Sequence, residues 1–161
     1  MTRTRQALID ELGRALQAYQ RSTAAFDDEV GRALDLNPAD LRCLDWLTEG
    51  PMSASRLATA TGLSSAATTS MIDRLERKGF VRRERHDGDR RQVLVSMTDE
   101  GQARTWAIYG RLAESGQRLF ARFDKAALQS MLDNLVAMRE LTDAERERLR
   151  QADQPPAEGA S

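Results

Sequence analysis

The stretch SSAATTSMIDRLERKGFVRRERHDGDRRQVLVSM, residues Ser64 to Met97, decides the fold. Its first half has a helical period. With successive side chains about 100° apart, Ala67, Thr68, Met71, Ile72 and Leu75 gather on one side, and Ala66, Thr69, Ser70, Asp73 and Arg77 on the other. Ser64 or Ser65 stands where an N-cap belongs, and Gly79 where a left-handed C-cap closes a helix. Beyond Gly79 the pattern changes. Residues 80–86 read as a strand, Asp87-Gly88-Asp89 as a tight turn and residues 91–97 as a returning strand, with Val93, Val95 and Met97 alternating onto one face. An amphipathic helix is therefore followed by a hairpin bearing Arg82, Arg83, Arg85, Arg90 and Arg91.

Working outward, Ser53 caps a short helix, SASRLATAT, which Gly62 breaks. Two short helices joined by a Gly-containing turn form a helix-turn-helix. Upstream, Asn37-Pro38 marks another helix start, with Leu41, Leu44 and Leu47 inward and Gly50-Pro51 as its end. Residues 5–34 carry the stripe Leu8, Leu12, Leu16, Tyr19, Phe26, Val30 and Leu34, so a long helix is expected that must pack on something. Downstream, Thr98 caps a helix with Asp99 and Glu100 in its first turn and a stripe through Ala103, Trp106, Ile108, Leu112, Leu119, Phe120 and Phe123. Asp124 caps a last helix through Leu128, Met131, Leu132, Leu135, Met138 and Leu141, extended by residues 143–150. Residues 151–161 lack apolar content and are expected to be disordered.

The expected fold class is mainly α with a small β-hairpin wing. Residues 36–97 form a winged helix-turn-helix, and residues 1–35 and 98–150 form long terminal helices. Those helices outlast the small core they could cover, and a symmetric copy of the chain is the commonest partner for such stripes. A homodimer is therefore expected, with two recognition helices one duplex turn apart, ~34 Å.

Composition agrees with a polyanion partner. The 161 residues carry a net charge of only -1. However, residues 53–97 hold nine Lys/Arg against five Asp/Glu, and the remainder fifteen against twenty. A basic middle between acidic flanks binds an anionic surface with one face and stays dissolved with the others. No apolar run is long enough for a membrane span, and the N-terminus lacks a signal-peptide core, so a cytoplasmic location is expected. Cys43 and His86 are the sole residues of their types, which leaves no disulfide and no metal set. No nucleophile–base pair, phosphate-cradling loop or cofactor motif is found, so no enzyme and no cofactor are expected.

The chemistry fits double-stranded DNA. A narrow minor groove attracts Arg, which makes Arg90 at the hairpin tip the best candidate for insertion. Asp89 orients a neighbouring guanidinium, and Arg82, Arg83, Arg85 and Arg91 neutralise phosphates or pair with Glu84 and Asp87. On the helix, Ser64, Ser65, Thr69 and Ser70 present small hydrogen-bonding groups, while Thr68 lies with the core. Ser and Thr discriminate bases weakly, so Arg74 or Arg77 must supply any bidentate guanine contact.

The run from Leu36 to Gly101 resembles the MarR family of bacterial transcriptional regulators. LNPADLRCLDWL, SRLATATGLSSAATTSMIDRLERKGFVRR and DGDRRQVLVSMTDEG carry the resemblance. It implies a two-fold dimer built by the first and last helices, a palindromic operator, and release by a small ligand or by oxidation. The family's wing acid and arginine map onto Asp89 and Arg90. Many members carry Arg where this chain has Ser70, which shifts base contact toward Thr69, Arg74 and the wing. Some members sense peroxides through a cysteine in the first helix. Cys43 lies in the second helix and reads as core, so a redox switch at Cys43 stands only as an alternative, as does a winged helix that binds protein instead of DNA. Tyr19, Phe26, Trp46, Trp106 and Tyr109 are candidates to line a site for a small aromatic or apolar effector. The working expectation is a repressor whose ligand changes the spacing of its recognition helices. Operator, regulated genes and effector are not encoded in these motifs.

Overall fold

The computed structural model describes residues 3–85 and 93–152. Among them, the elements run α1 (Arg5–Leu34), α2 (Pro38–Thr48), β1 (Met52–Ser53), α3 (Ala54–Thr61), α4 (Ser65–Arg77), β2 (Val81–Arg85), β3 (Val93–Met97), α5 (Asp99–Phe120) and α6 (Lys125–Ala152). The chain divides into two units, Met1–Gly110 and Arg111–Ser161.

Local chemistry places the helix ends. Thr4, Asn37, Ser53 and Ser64 each have extended backbone and accept a hydrogen bond from the amide three residues on, beginning α1, α2, α3 and α4. At α2 the cap is reciprocal, because the Asp40 carboxylate accepts from the Asn37 amide (3.1 Å) while Asn37 accepts from the Asp40 amide (2.9 Å). Gly62 (φ 74°) ends α3 and Gly79 (φ 77°) turns the chain from α4 into β2, left-handed positions that a Cβ resists.

The sheet has the order β1-β3-β2, both pairings antiparallel. In the hairpin, Val81 opposes Met97, Arg83 opposes Val95 and Arg85 opposes Val93. β1, which has no periodic pattern of its own, adds a third strand by pairing Met52 with Val95 and Ser53 with Leu94. Val95 and Met97 are buried as the alternation requires, but Val93 is exposed. Ala67 is also exposed, although its angle on the helical wheel lies with the apolar side. The other members of that side, Thr68, Met71, Ile72 and Leu75, are buried with Leu44, Leu57, Phe80 and Val30.

The Thr-x-x-Gly that opens α5 locks the hairpin to the helix. Thr98 accepts from the Gly101 amide (2.9 Å) and donates to the Gly79 carbonyl (2.6 Å). A Cβ on Gly101 would lie 2.8 Å from the Phe80 Cα and run into its carbonyl oxygen, so only glycine fits this crossing. Arg104 stacks on the buried Phe80 ring at 4.1 Å and donates to the Lys78 carbonyl (2.9 Å).

Asp124 caps α6 by accepting from the Ala127 amide (2.8 Å). The helix continues to Ala152, so the first residues of the expected tail are helical; residues 153–161 lie outside the described set. No residue of α6 is buried. No helix among the described residues is long and apolar enough to cross a membrane.

Candidate nucleic-acid interface and an apolar cleft

The outward face of α4 is polar and open. Ser64, Ser65, Ala66, Thr69, Ser70, Asp73 and Arg77 are all exposed, and Thr68 is buried among the core residues. The Thr69 hydroxyl donates to the Ser65 carbonyl (3.0 Å) and the Ser70 hydroxyl to the Ala66 carbonyl (3.1 Å). With their protons turned into the helix, both oxygens face outward as acceptors. Arg77 donates through Nε to the Asp73 carbonyl (3.3 Å) and leaves its terminal nitrogens in solvent.

The β-strand arginines differ in their partners. Arg83 donates to the carboxylates of Asp73 and Glu76 on α4, and its amide donates to Glu76 as well (3.3 Å). This ties the base of the hairpin to α4 and neutralises two acids beside the polar face. Arg82 pairs with Glu84, whose carboxyl is thereby held below its usual range. Arg85 is exposed at the described end of β2. Asp89, Arg90 and Arg91, expected at the hairpin tip, lie outside the described residues.

Arg74 occupies a place that its sequence position does not disclose. Its Nη2 is 2.5 Å from one oxygen of Asp40 and its Nε 3.1 Å from the other. Asp40 is only 1% exposed. The guanidinium therefore fastens α4 to the start of α2, 34 positions away in sequence. No local pattern joins such a pair. The one legible sign was Asp40 itself, an acid three residues after the Asn37 cap. Lys78 makes a parallel tie from the end of α4, donating to the Asp35 carboxylate (2.7 Å) and to its carbonyl.

Cys43 is fully buried, and burial pushes its thiol up to about 12, with Asp40 adding to the effect. A thiol held protonated and shielded in this way is a poor redox sensor.

Within the Met1–Gly110 unit, a cleft of about 1060 Å³ opens between α1, α2 and the first part of α5. Of the aromatic candidates, Trp106 and Tyr109 line it. The other three do not. Tyr19 is exposed a turn before the first lining residue, Trp46 packs on the core, and Phe26 is spent in an edge-on contact with Tyr109 (5.5 Å, 76°). The lining also includes Leu41, Leu44, Asp27 and Asp45. Tyr109 donates its phenol proton to Asp27 (2.8 Å), and burial followed by the Asp27 charge raises the phenol above its ordinary range. Burial, then Glu49 and Asp27, likewise raise the Asp45 carboxyl.

The chain is similar to known proteins in sequence and in fold. The profile of the MarR family matches residues 36–93. The HTH-type transcriptional regulator YcgE of Bacillus subtilis is 33% identical over 141 residues, 85% of this chain and 92% of that protein. The HTH-type transcriptional repressor NicR of Pseudomonas putida is 30% identical over 103 residues, 60% of this chain and 61% of its own. Among solved structures, a MarR family protein from Bacillus stearothermophilus superposes with a TM-score of 0.59 at 20% identity, over 91% of this chain and 99% of that one.

Proposed function

The chain belongs to the MarR family of DNA-binding, non-enzymatic transcriptional regulators, and from that premise we propose that it acts in the cytoplasm as a homodimeric repressor, released from a pseudo-palindromic operator by a small ligand. The observation that carries the DNA contact is the exposed polar face of α4 fastened by Arg83 to an arginine-bearing hairpin. Ser64, Ser65, Thr69, Ser70 and Arg77 are assigned to the duplex, with Asp89, Arg90 and Arg91 from the wing; Arg83, committed to Asp73 and Glu76, is assigned to holding the hairpin against α4. Thr69 and Ser70, presenting acceptors, suit the amino groups of adenine and cytosine in a major groove. Arg74, committed to Asp40, is assigned to holding the helix in place.

Two features support a dimer. Leu8, Ile9, Leu12 and Tyr19 are exposed along α1. In the Arg111–Ser161 unit, Leu128, Met131, Leu132, Leu135, Leu141 and Leu149 are exposed along α6, which buries nothing within the chain. Apolar stripes of that length call for a second surface, and the symmetric copy supplies it. The repressor reading has the support of NicR, a repressor by name, over 60% of the chain. Ligand release has the support of the cleft, whose wall α2 is tied through Asp40 and Arg74 to α4. A ligand that favours one placement of α2 shifts the population of α4 placements by its differential affinity.

The test is fluorescence anisotropy of a labelled random duplex titrated with protein as salt is raised. Binding of order 10⁻⁴–10⁻⁶ M that weakens steeply with salt is expected. Arg90→Ala should weaken it and lower the log–log salt slope by about 1. Absence of binding at low salt overturns the DNA-contact assignment.

A further inference from the structure

We propose that the cleft takes a lipophilic organic cation, an aryl or alkyl ammonium, whose charge sits between Asp27 and Asp45 and whose apolar part lies against Trp106, Tyr109 and Leu41. The inference rests on the reading of the cleft as the effector site and adds the chemical class of the effector.

The cleft has the size of a small-molecule site and a mainly apolar wall, so the few charged groups on it set the ligand's sign. Those groups are Asp27, Asp28, Asp35, Asp45, Arg32 and Arg42. Several are already committed. Asp35 is paired with Lys78, and Arg32 is paired with Glu29 and lies largely in solvent. Arg42 is exposed. What remains is Asp27 and Asp45 against Arg42, Asp28 being exposed and near Arg32, and among the described residues no cation pairs with Asp27 or Asp45.

Asp27 is the informative member. It is half-buried, and its one side-chain partner is a neutral phenol, which fixes one oxygen and leaves further acceptor sites unused. A half-buried carboxylate with spare acceptor sites and no cationic partner is open to an incoming ammonium donor. The neighbouring Asp45 carboxyl is raised first by burial and then by the negative charges of Glu49 and Asp27. An anionic ligand would add to that repulsion. Trp106 is 63% exposed at the cleft, where an indole face attracts an ammonium group and stacks on an aryl one.

The experiment is isothermal titration of the full chain with three shape-matched probes, 2-naphthylmethylammonium, 2-naphthalenemethanol and 2-naphthoate. The ammonium is expected to bind about tenfold or more tighter than the naphthoate, with the alcohol between them. Asp45→Asn, at an exposed position that leaves the fold intact by circular dichroism, should narrow that ratio. Asp27→Asn with Asp45→Asn should abolish it while alcohol affinity persists. Equal or tighter binding of naphthoate, or a preference untouched by both substitutions, overturns the cation assignment and leaves the effector site standing. Failure of all three probes to bind overturns both.

Discussion

Asp40 and Arg74 show how a single pair of side chains decides the placement of a helix. Asp40 closes the cap of α2 through Oδ2 and receives the Arg74 fork on both oxygens, Nη2 on Oδ1 and Nε on Oδ2, at 1% exposure. The hydrogen bonds that Arg74 donates to Asp40 raise its guanidinium above its ordinary value. Removing Arg74 strands a buried carboxylate, which is far more costly than losing a surface ion pair. Arg74→Ala is therefore expected to lower unfolding free energy by about 3 kcal/mol in a urea titration, and Arg74→Lys to recover only part of it, because an ammonium cannot fork. A loss below about 1 kcal/mol would place the pair among ordinary surface bridges. Base contact by Arg74 was a natural expectation from its place on a recognition helix. The contact that claims it instead comes from a residue 34 positions away, and nothing local in the sequence encodes that distance.

At the scale of elements, the hairpin, α4 and α5 meet at Phe80, and glycine chemistry sets the meeting. Gly101→Ala pushes a methyl group into the Phe80 backbone, which cannot yield as a flexible side chain would. The expected cost is about 1–3 kcal/mol, read as a lower midpoint in thermal denaturation, with duplex binding weakened once the hairpin loses its seat. An unchanged midpoint would mean that α5 does not cross there as described. This junction also marks the limit of what the residues announce in advance. Caps at Asn37, Ser53, Ser64, Thr98 and Asp124 were legible because capping acts over three or four positions. The alternation of Val95 and Met97 was legible for the same local reason. β1 was not, since a two-residue strand has no period and exists only because β3 offers an edge. The cleft was half legible. Trp106 and Tyr109 stood out as aromatics, but Asp27 and Asp45 acquire meaning only when α1, α2 and α5 converge.

For the whole molecule, charge and apolar surface are distributed unevenly along the chain. The winged segment concentrates positive charge, and the terminal helices leave leucines uncovered, most plainly along α6. In the proposed dimer a polyanion would meet the first and a second copy the other, which would make a symmetric reader of a symmetric site. The most direct measurement is selection from a random duplex library on the purified protein, with the chains per bound duplex counted by sedimentation. Enrichment of an inverted repeat whose half-sites are centred ~10 bp apart, bound by two chains, is the predicted result. Enrichment of a single unrepeated element, or one chain per duplex, would contradict it.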